Sequence, residues 1–234
     1  MRLFRSLVLA CLCVVVPASV FAITKDPLSV KLPPLEILPG AEWYWVGEKM
    51  ALNGVPMSVK MFSYKGKPED VVRYYQSYWR GLGNGKQSER RLGKRTILGF
   101  QLDEFYYSIQ FEEEDGLIKG KAVVTPTPLN IQESKKTSLP IPARSRVHSR
   151  IESLDFGRRE ETLAGESDFD IGYVLDFYKS QLSGEGWQLF STSGDQRNSA
   201  VLSFQRGGEL LQLTTKALQH SNSQKTQFLI HWLK

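Results

Sequence analysis

The sequence predicts an α+β protein of two similar modules, each with one amphipathic helix packed on a small antiparallel sheet. The first observation is a repeat, because VVRYYQSYW at 71–79 is followed 103 residues later by VLDFYKSQL at 174–182. The second is that each copy runs into glycines and then into an apolar stretch that ends in Phe100 or Phe204. The third is a composition rich in Pro, Ser, Thr, Lys and Arg between the copies, which buries little apolar surface.

The first 22 residues are typical of a secretory signal peptide. Arg2 and Arg5 supply the positive start, residues 7–16 are almost entirely apolar, and a small-x-small site ends at Ala22. The apolar stretch is shorter than the roughly 20 residues that span a bilayer. We therefore expect cleavage after Ala22 and a periplasmic or secreted chain that begins at Ile23. Retention as an uncut anchor is the alternative.

Cysteine usage and charge bear on the class of protein. Both cysteines, Cys11 and Cys13, lie within the expected signal, so the mature chain has no disulfide, thiol nucleophile or thiolate metal site. Loss of Arg2 and Arg5 lowers the formal net charge from +5 to +3. A balance this mildly basic gives no reason to expect nucleic acid as a partner. We expect no transmembrane span in the mature chain.

The first module is predicted over residues 41–125, after a proline-rich extended lead-in at 23–40. Asn53-Gly54 between apolar stretches is the signal of a tight hairpin. Lys67-Pro68 followed by two acids predicts the start of a helix. The helix is predicted over 71–82, and strands are predicted over 96–102, 105–112 and 117–125.

The second module is predicted over residues 151–234, after a linker at 126–150. Ser167 with an acid three residues later is a capping pattern. The apolar face of the following helix is formed by Ile171, Val174, Leu175, Tyr178 and Leu182. Strands are predicted at 158–165, 187–190, 200–205, 209–217 and 226–233.

Most of the second module resembles small helix-and-sheet modules of exported bacterial proteins of unknown function. The resemblance is carried by Phe177, Tyr178, Leu182, Gly186 and Trp187, followed by Ser203-Phe204 and Leu210-Leu211. Residues 55–125 match the pattern more loosely, since Trp79 replaces the leucine and no tryptophan follows Gly83. The resemblance implies a duplicated fold and export. It implies no catalytic residue, because these are positions on a helix face and at a helix exit.

No pattern for catalysis or metal binding stands out. His148, His220 and His231 lie in separate predicted elements, so no metal site and no cofactor are expected. The acidic run at 112–115 lacks the alternating spacing of a calcium loop, and there is no Gly-x-Ser-x-Gly elbow. We therefore expect no catalytic residue and no enzyme activity. A hydrolase with an unrecognised pair of carboxylates remains an alternative.

Two groups of residues are candidates for binding a partner, namely Arg90, Arg91, Lys94 and Arg95, and Trp43 with Trp45. The basic group fits an anionic polymer or a lipid headgroup, whereas the nearby Glu89 favours an ordinary solvated surface. In a strand, Trp43 and Trp45 share one face and Tyr44 takes the other. An exposed pair would form a platform for a sugar or a protein, but we expect the pair to lie in the core.

These observations together predict an exported, non-catalytic binding or assembly factor of the bacterial envelope. Another envelope protein is the expected partner, with secretion or pilus machinery as one setting, because open sheet edges invite strand addition. The main alternative is a carrier of a small apolar ligand, which would need a cavity of a few hundred Å3 between helix and sheet.

Overall fold

The computed structural model describes residues 26–127, 137–155, 157–195, 197–220 and 223–234. The predicted signal peptide, the first residues of the lead-in and the middle of the predicted linker lie outside the described residues. Within the described part of the chain, two α-helices and twelve β-strands follow a short 3-10 helix at Pro27–Ser29. None of these helices is long and apolar enough to cross a membrane.

Each helix follows two strands and precedes four. The first six strands, with α1 (Pro68–Leu82) between the second and third, are β1 (Glu42–Leu52), β2 (Val55–Tyr64), β3 (Lys86–Leu92), β4 (Arg95–Leu102), β5 (Phe105–Glu114) and β6 (Leu117–Pro126). The other six, with α2 (Ile171–Gly184) in the same place, are β7 (Ser145–Asp155), β8 (Arg158–Ser167), β9 (Gln188–Gly194), β10 (Ser199–Arg206), β11 (Glu209–His220) and β12 (Ser223–Leu233).

The predicted fold class, two similar modules that each pack one helix on a small sheet of its own, is wrong. All twelve strands form one antiparallel sheet in the order β3-β4-β5-β6-β2-β1-β7-β8-β12-β11-β10-β9. The sheet is continuous because Lys49–Leu52 of β1 pairs with Leu154–Ile151 of β7. Local patterns predicted most of the strands, but they carry no information about which strand edges meet across such a distance in the chain.

Both halves of the sheet show the same strand order when read from the outer edge to the seam between β1 and β7. Within the described residues, the ladder between β1 and β7 has four residue pairs, at one end of each seam strand. Residues 42–48 of β1 and residues 145–149 of β7 therefore extend past the seam in opposite directions. The halves are staggered, and each seam strand has a stretch with a neighbour on one side only.

The helices begin and end where local chemistry predicts. At α1, Pro68 occupies the first turn and the carboxylate of Asp70 accepts a hydrogen bond from the Lys67 amide at 3.1 Å. At α2, the capping residue is Asp170, whose carboxylate accepts a hydrogen bond from the Tyr173 amide at 2.8 Å. The Asn53-Gly54 hairpin is also confirmed, with positive φ at both residues (50° and 83°).

The strand register places both helices on the same face of the sheet, which we call the helix face. In the first half, Phe62 and Ala51 lie on this face. Across the seam, Ala51 pairs with Glu152 of β7, which pairs in turn with Glu161 of β8. Glu161 shares its face with the core residue Leu163, so the second core lies on the same side of the sheet. Under α1, Trp79 stacks on Phe100 at 5.2 Å between ring centroids. The first core also includes Leu35 and Leu38 from the lead-in. The second core lies between α2 and the sheet and also includes Leu139.

Two strands, β3 and β7, were not predicted from the sequence. Residues 86–92, expected to be a basic patch, form the edge strand β3, and β7 begins at Ser145, inside the range assigned to the linker. All seven residues of β3 are exposed. Neither stretch shows a buried alternation, so the period-2 signal of a half-buried strand is absent.

Candidate partner-binding site

The most exposed apolar surface of the first half lies on β1. We call Trp43, Tyr44, Trp45 and Val46 the aromatic strip; their exposed fractions are 48%, 63%, 39% and 53%. Trp43 is opposite Phe62 and Trp45 is opposite Lys60 on β2, so both indoles lie on the helix face. As predicted, the two indoles share one face of the strand and Tyr44 lies on the other. Contiguous exposed apolar surface of this kind is typical of an interaction site.

The expectation that Trp43 and Trp45 lie in the core is wrong. The residues that α1 buries come from β2, β4, β5, β6 and the lead-in, and neither indole belongs to that cluster. The strip lies instead in the stretch of β1 that has β2 as its only neighbour. The hydrophobic pattern of a strand does not reveal how far along the sheet a helix reaches.

A lysine ammonium occupies the space between the two indoles. The Nζ of Lys60 lies 4.0 Å from the centroid of the Trp43 ring and 4.5 Å from that of Trp45. It donates a hydrogen bond to the carbonyl oxygen of Leu35 at 2.8 Å. Burial lowers the pKa of Lys60, and the carboxylates of Glu36 and Glu48 oppose this change. The two rings, 6.1 Å apart and nearly perpendicular, are thus fixed by a cation–π contact on the surface.

A groove of about 360 Å3 opens beside the strip, between the lead-in and the hairpin of β1 and β2. Prolines and methionines dominate its apolar lining, among them Pro27, Pro34, Met50 and Met57, and Trp45 forms part of one wall. This groove lies outside the interface between helix and sheet, where the sequence analysis placed the cavity of a carrier.

Three exposed acidic residues surround the strip. Glu42 begins β1 just before the strip, Glu48 follows the strip within the same strand, and Glu36 lies in the lead-in that crosses the helix face. Within the described part of the chain, none of the three forms an ion pair within 4.0 Å. The strip is therefore an apolar surface bordered by three exposed carboxylates, of which those of Glu36 and Glu48 act electrostatically on Lys60.

The predicted basic residues lie elsewhere, at the outer edge of the first half. Arg90 and Arg91 are on β3, Lys94 is in the turn that follows, and Arg95 begins β4. Arg91 is 3.4 Å from Glu89 and Arg95 is 3.5 Å from Glu112. A nearby groove of about 440 Å3 is lined by Arg91 and Lys94 but also by Glu69, Glu112, Glu113 and Asp115. The structure does not bring these residues together with the aromatic strip, and their surroundings are of mixed charge.

Changing Arg90, Arg91, Lys94 and Arg95 together to Ser should lower the free energy of unfolding by less than about 2 kcal/mol, because exposed ion pairs contribute about 0–1 kcal/mol each. Thermal unfolding followed by circular dichroism measures this. A much larger loss would show that β3 needs these side chains to stay paired with β4.

Charged residues form a buried network at the seam. Arg150 donates from Nη1 to Glu152 at 2.9 Å and from Nε to Glu161 at 2.8 Å, and all three are almost fully buried on the helix face. Lys234 Nζ lies 2.7 Å from Glu161. Arg159 joins Glu152, at 3.8 Å, to Asp26 of the lead-in, at 2.6 Å. We call these six residues the seam network.

One signal in the sequence points to this network. Glu161 precedes Leu163 by two residues and Arg150 precedes Glu152 by two, so charged residues occupy positions that share a face with core residues. Their burial follows from the pairing of β1 with β7, which encloses them between the two cores.

Glu161 remains ionised within this network. Burial acts to raise its pKa, but hydrogen bonds from Arg150, Lys234 and Thr137 outweigh that effect and hold the pKa below its usual 4.5. Glu152 and Glu161 are two carboxylates that converge, but both are bound to Arg150. They do not provide the free acid and base that a carboxylate hydrolase requires.

Glu161→Gln should destabilise the protein at neutral pH, and the difference from the unchanged protein should shrink as the pH falls. A folded pKa below the unfolded one gives stability that is present above about pH 4.5 and is lost as the pH falls through the folded pKa. Urea unfolding of both proteins from about pH 7 to about pH 3 measures the difference. A difference independent of pH would contradict the assignment.

The described side chains of His148 and His231 do not share a site, and the side chain of His220 lies outside the described part of the structure. His148 is exposed on β7, 3.6 Å from Glu166, and His231 on β12 has its Nδ1 3.1 Å from the hydroxyl of Thr162. Among the residues described here, no three His, Cys, Asp or Glu side chains are grouped so that they could hold a metal ion.

Comparisons with known proteins concern the second half only. Residues 160–226 are similar to a START domain-like family, a match that runs from β8 through α2 to the start of β12 and does not include the aromatic strip. No curated protein and no solved structure matches the chain. Because the match covers one of the two predicted modules, it does not confirm the duplication.

Proposed function

We propose that the protein is an exported, non-catalytic binding or assembly factor of the bacterial envelope that holds an extended segment of another envelope protein against β1. Secretion or pilus machinery is a setting that suits such a factor. The observation that carries the proposal is the aromatic strip, whose four side chains are exposed on both faces of a strand stretch with one neighbour.

The geometry of β1 supports strand addition in particular. Along residues 42–48 the backbone groups on the side away from β2 have no neighbouring strand within the described residues. An added strand would form a backbone ladder there, with side chains contacting the indoles on one face and Tyr44 with Val46 on the other. Large aromatic side chains at the centre of an interface commonly contribute most of the binding energy.

The first test is site-specific photo-crosslinking in the envelope. A photoreactive phenylalanine analogue in place of Tyr44 should capture a discrete protein, because that side chain faces away from the core beside the open edge. The matched control is the same analogue in place of Tyr173 on α2, which is also exposed but lies far along the sheet from β1. Identical captured proteins at both positions, or none at position 44, would count against the proposal.

A second candidate, the carrier of a small apolar ligand, is favoured by the groove beside the strip, since about 360 Å3 falls within the range of small-molecule sites. Native mass spectrometry of the protein released from cells separates the two candidates. A carrier should retain a small molecule that is lost when Met57→Arg places a charge in the groove wall.

A further inference from the structure

The acidic border of the aromatic strip has a consequence for the chemistry of the partner. We infer that the segment that adds to β1 carries basic residues at both ends of an apolar core. This inference rests on the proposed function, since it specifies what would occupy the same open edge.

The open edge has an acidic residue at each end. Glu42 begins the stretch, Glu48 ends it, and both are exposed without an ion pair among the described residues. The next residue, Lys49, already belongs to the seam, where it is opposite Leu154. A strand added along 42–48 would therefore meet a carboxylate at each end. A basic side chain directly opposite Glu42 or Glu48 would stabilise the pairing of the two strands, and an acidic one would destabilise it.

The charges on the helix face beside the indoles also favour a basic partner segment. The carboxylates of Glu36 and Glu48 both act on Lys60, the cation already held between the indoles. Trp43 and Trp45 present aromatic rings, which attract further cations as well as apolar groups. An acidic segment would face these carboxylates, and the Lys60 ammonium beside them is already engaged by two rings and a carbonyl oxygen.

The corresponding stretch of the second half differs in charge, which shows that the acidic border is a property of β1 and is not general to the seam. Residues 145–149 of β7 carry Arg146 and His148, follow Arg144, and include no aromatic residue. The overhanging stretch of β7 has no acidic residue of its own, and Arg144 and His148 face Asp168 and Glu166. Only the stretch of β1 combines exposed carboxylates with a large apolar surface.

A titration with defined peptides tests the inference. Two peptides share a core of alternating Val and Thr as long as residues 42–48; one is flanked by lysines and the other by glutamates. Chemical shifts of the ¹⁵N-labelled protein give the affinity and the place of binding. We expect both peptides to shift amides of residues 42–48, with the lysine-flanked peptide about tenfold tighter at low salt and the difference fading as salt is raised.

The variant that isolates the charge effect is Glu42→Gln with Glu48→Gln. It should bring the two affinities within about a factor of two while leaving the shifts at the same amides, whereas Glu69→Gln with Glu113→Gln, on the opposite side of the first half, should change neither affinity. Equal affinities of the two peptides for the unchanged protein would overturn the inference and leave strand addition standing. If the peptides shift only amides outside residues 42–48, both the inference and the proposed strand addition are overturned. If amides of residues 42–48 shift with protein concentration in the absence of peptide, a second copy of the chain fills the edge.

Discussion

Tyr75→Ala and Tyr178→Ala should each lower the free energy of unfolding by about 3–5 kcal/mol, the usual cost of removing a buried aromatic side chain. Both tyrosines are about 1% exposed and pack between their helix and the sheet. Chemical denaturation monitored by circular dichroism measures the loss. Unchanged midpoints in both variants would mean that neither helix is held by its core.

The matched Phe variants should differ from each other. The Tyr75 hydroxyl donates to the carbonyl oxygen of Glu36 at 3.1 Å, so Tyr75→Phe should cost about 1 kcal/mol. The buried Tyr178 hydroxyl has no hydrogen-bond partner among the described residues, so Tyr178→Phe should be neutral or stabilising. Burial raises the pKa of both phenols, so both stay protonated at neutral pH. Equal costs for the two variants would show that the hydroxyl of Tyr178 has found a partner in solution.

Arg150→Ala should lower the free energy of unfolding by about 3–5 kcal/mol, because it leaves Glu152 and Glu161 buried without their shared cation. The matched control is Arg158→Ala, since Arg158 lies exposed at the start of β8 and should contribute less than about 0.5 kcal/mol. Equal losses in the two variants would show that the seam network adds nothing to stability.

The effect of Arg150→Ala should also depend on its neighbours. Adding Glu161→Gln to that variant removes one of the two buried carboxylates that have lost Arg150, so the double variant should be less unstable than the sum of the single changes. The same denaturation measurements give the coupling. Strict additivity would mean that Arg150 and Glu161 act independently, contrary to their 2.8 Å contact.

Much of the local structure follows from short-range chemistry that the sequence displays. The helices at 68–82 and 171–184 were predicted from apolar spacing and capping residues, and the strands β4, β5, β6, β10, β11 and β12 from alternation bounded by turn residues. Strands β3 and β7 were missed for a common reason. Their side chains are mostly exposed or charged, so no buried face marks them.

The candidate site was only partly accessible from sequence. That Trp43 and Trp45 share a face follows from the period of a strand, but their exposure depends on the distance between β1 and α1, which no local pattern records. The role of Arg150 was missed similarly. An arginine in a charged sequence looks solvated until the pairing of two distant strands encloses it.

By itself, then, the sequence determined the helices, the hairpins whose strands have a buried face, and most apolar faces, because these depend on residues within a few positions of one another. Only the tertiary structure decided that the two halves share one sheet, that they are staggered, and that the aromatic strip lies on an open edge. The physical reason is that four residue pairs between β1 and β7 set all three features, and backbone hydrogen bonds between strand edges are nearly independent of side-chain identity.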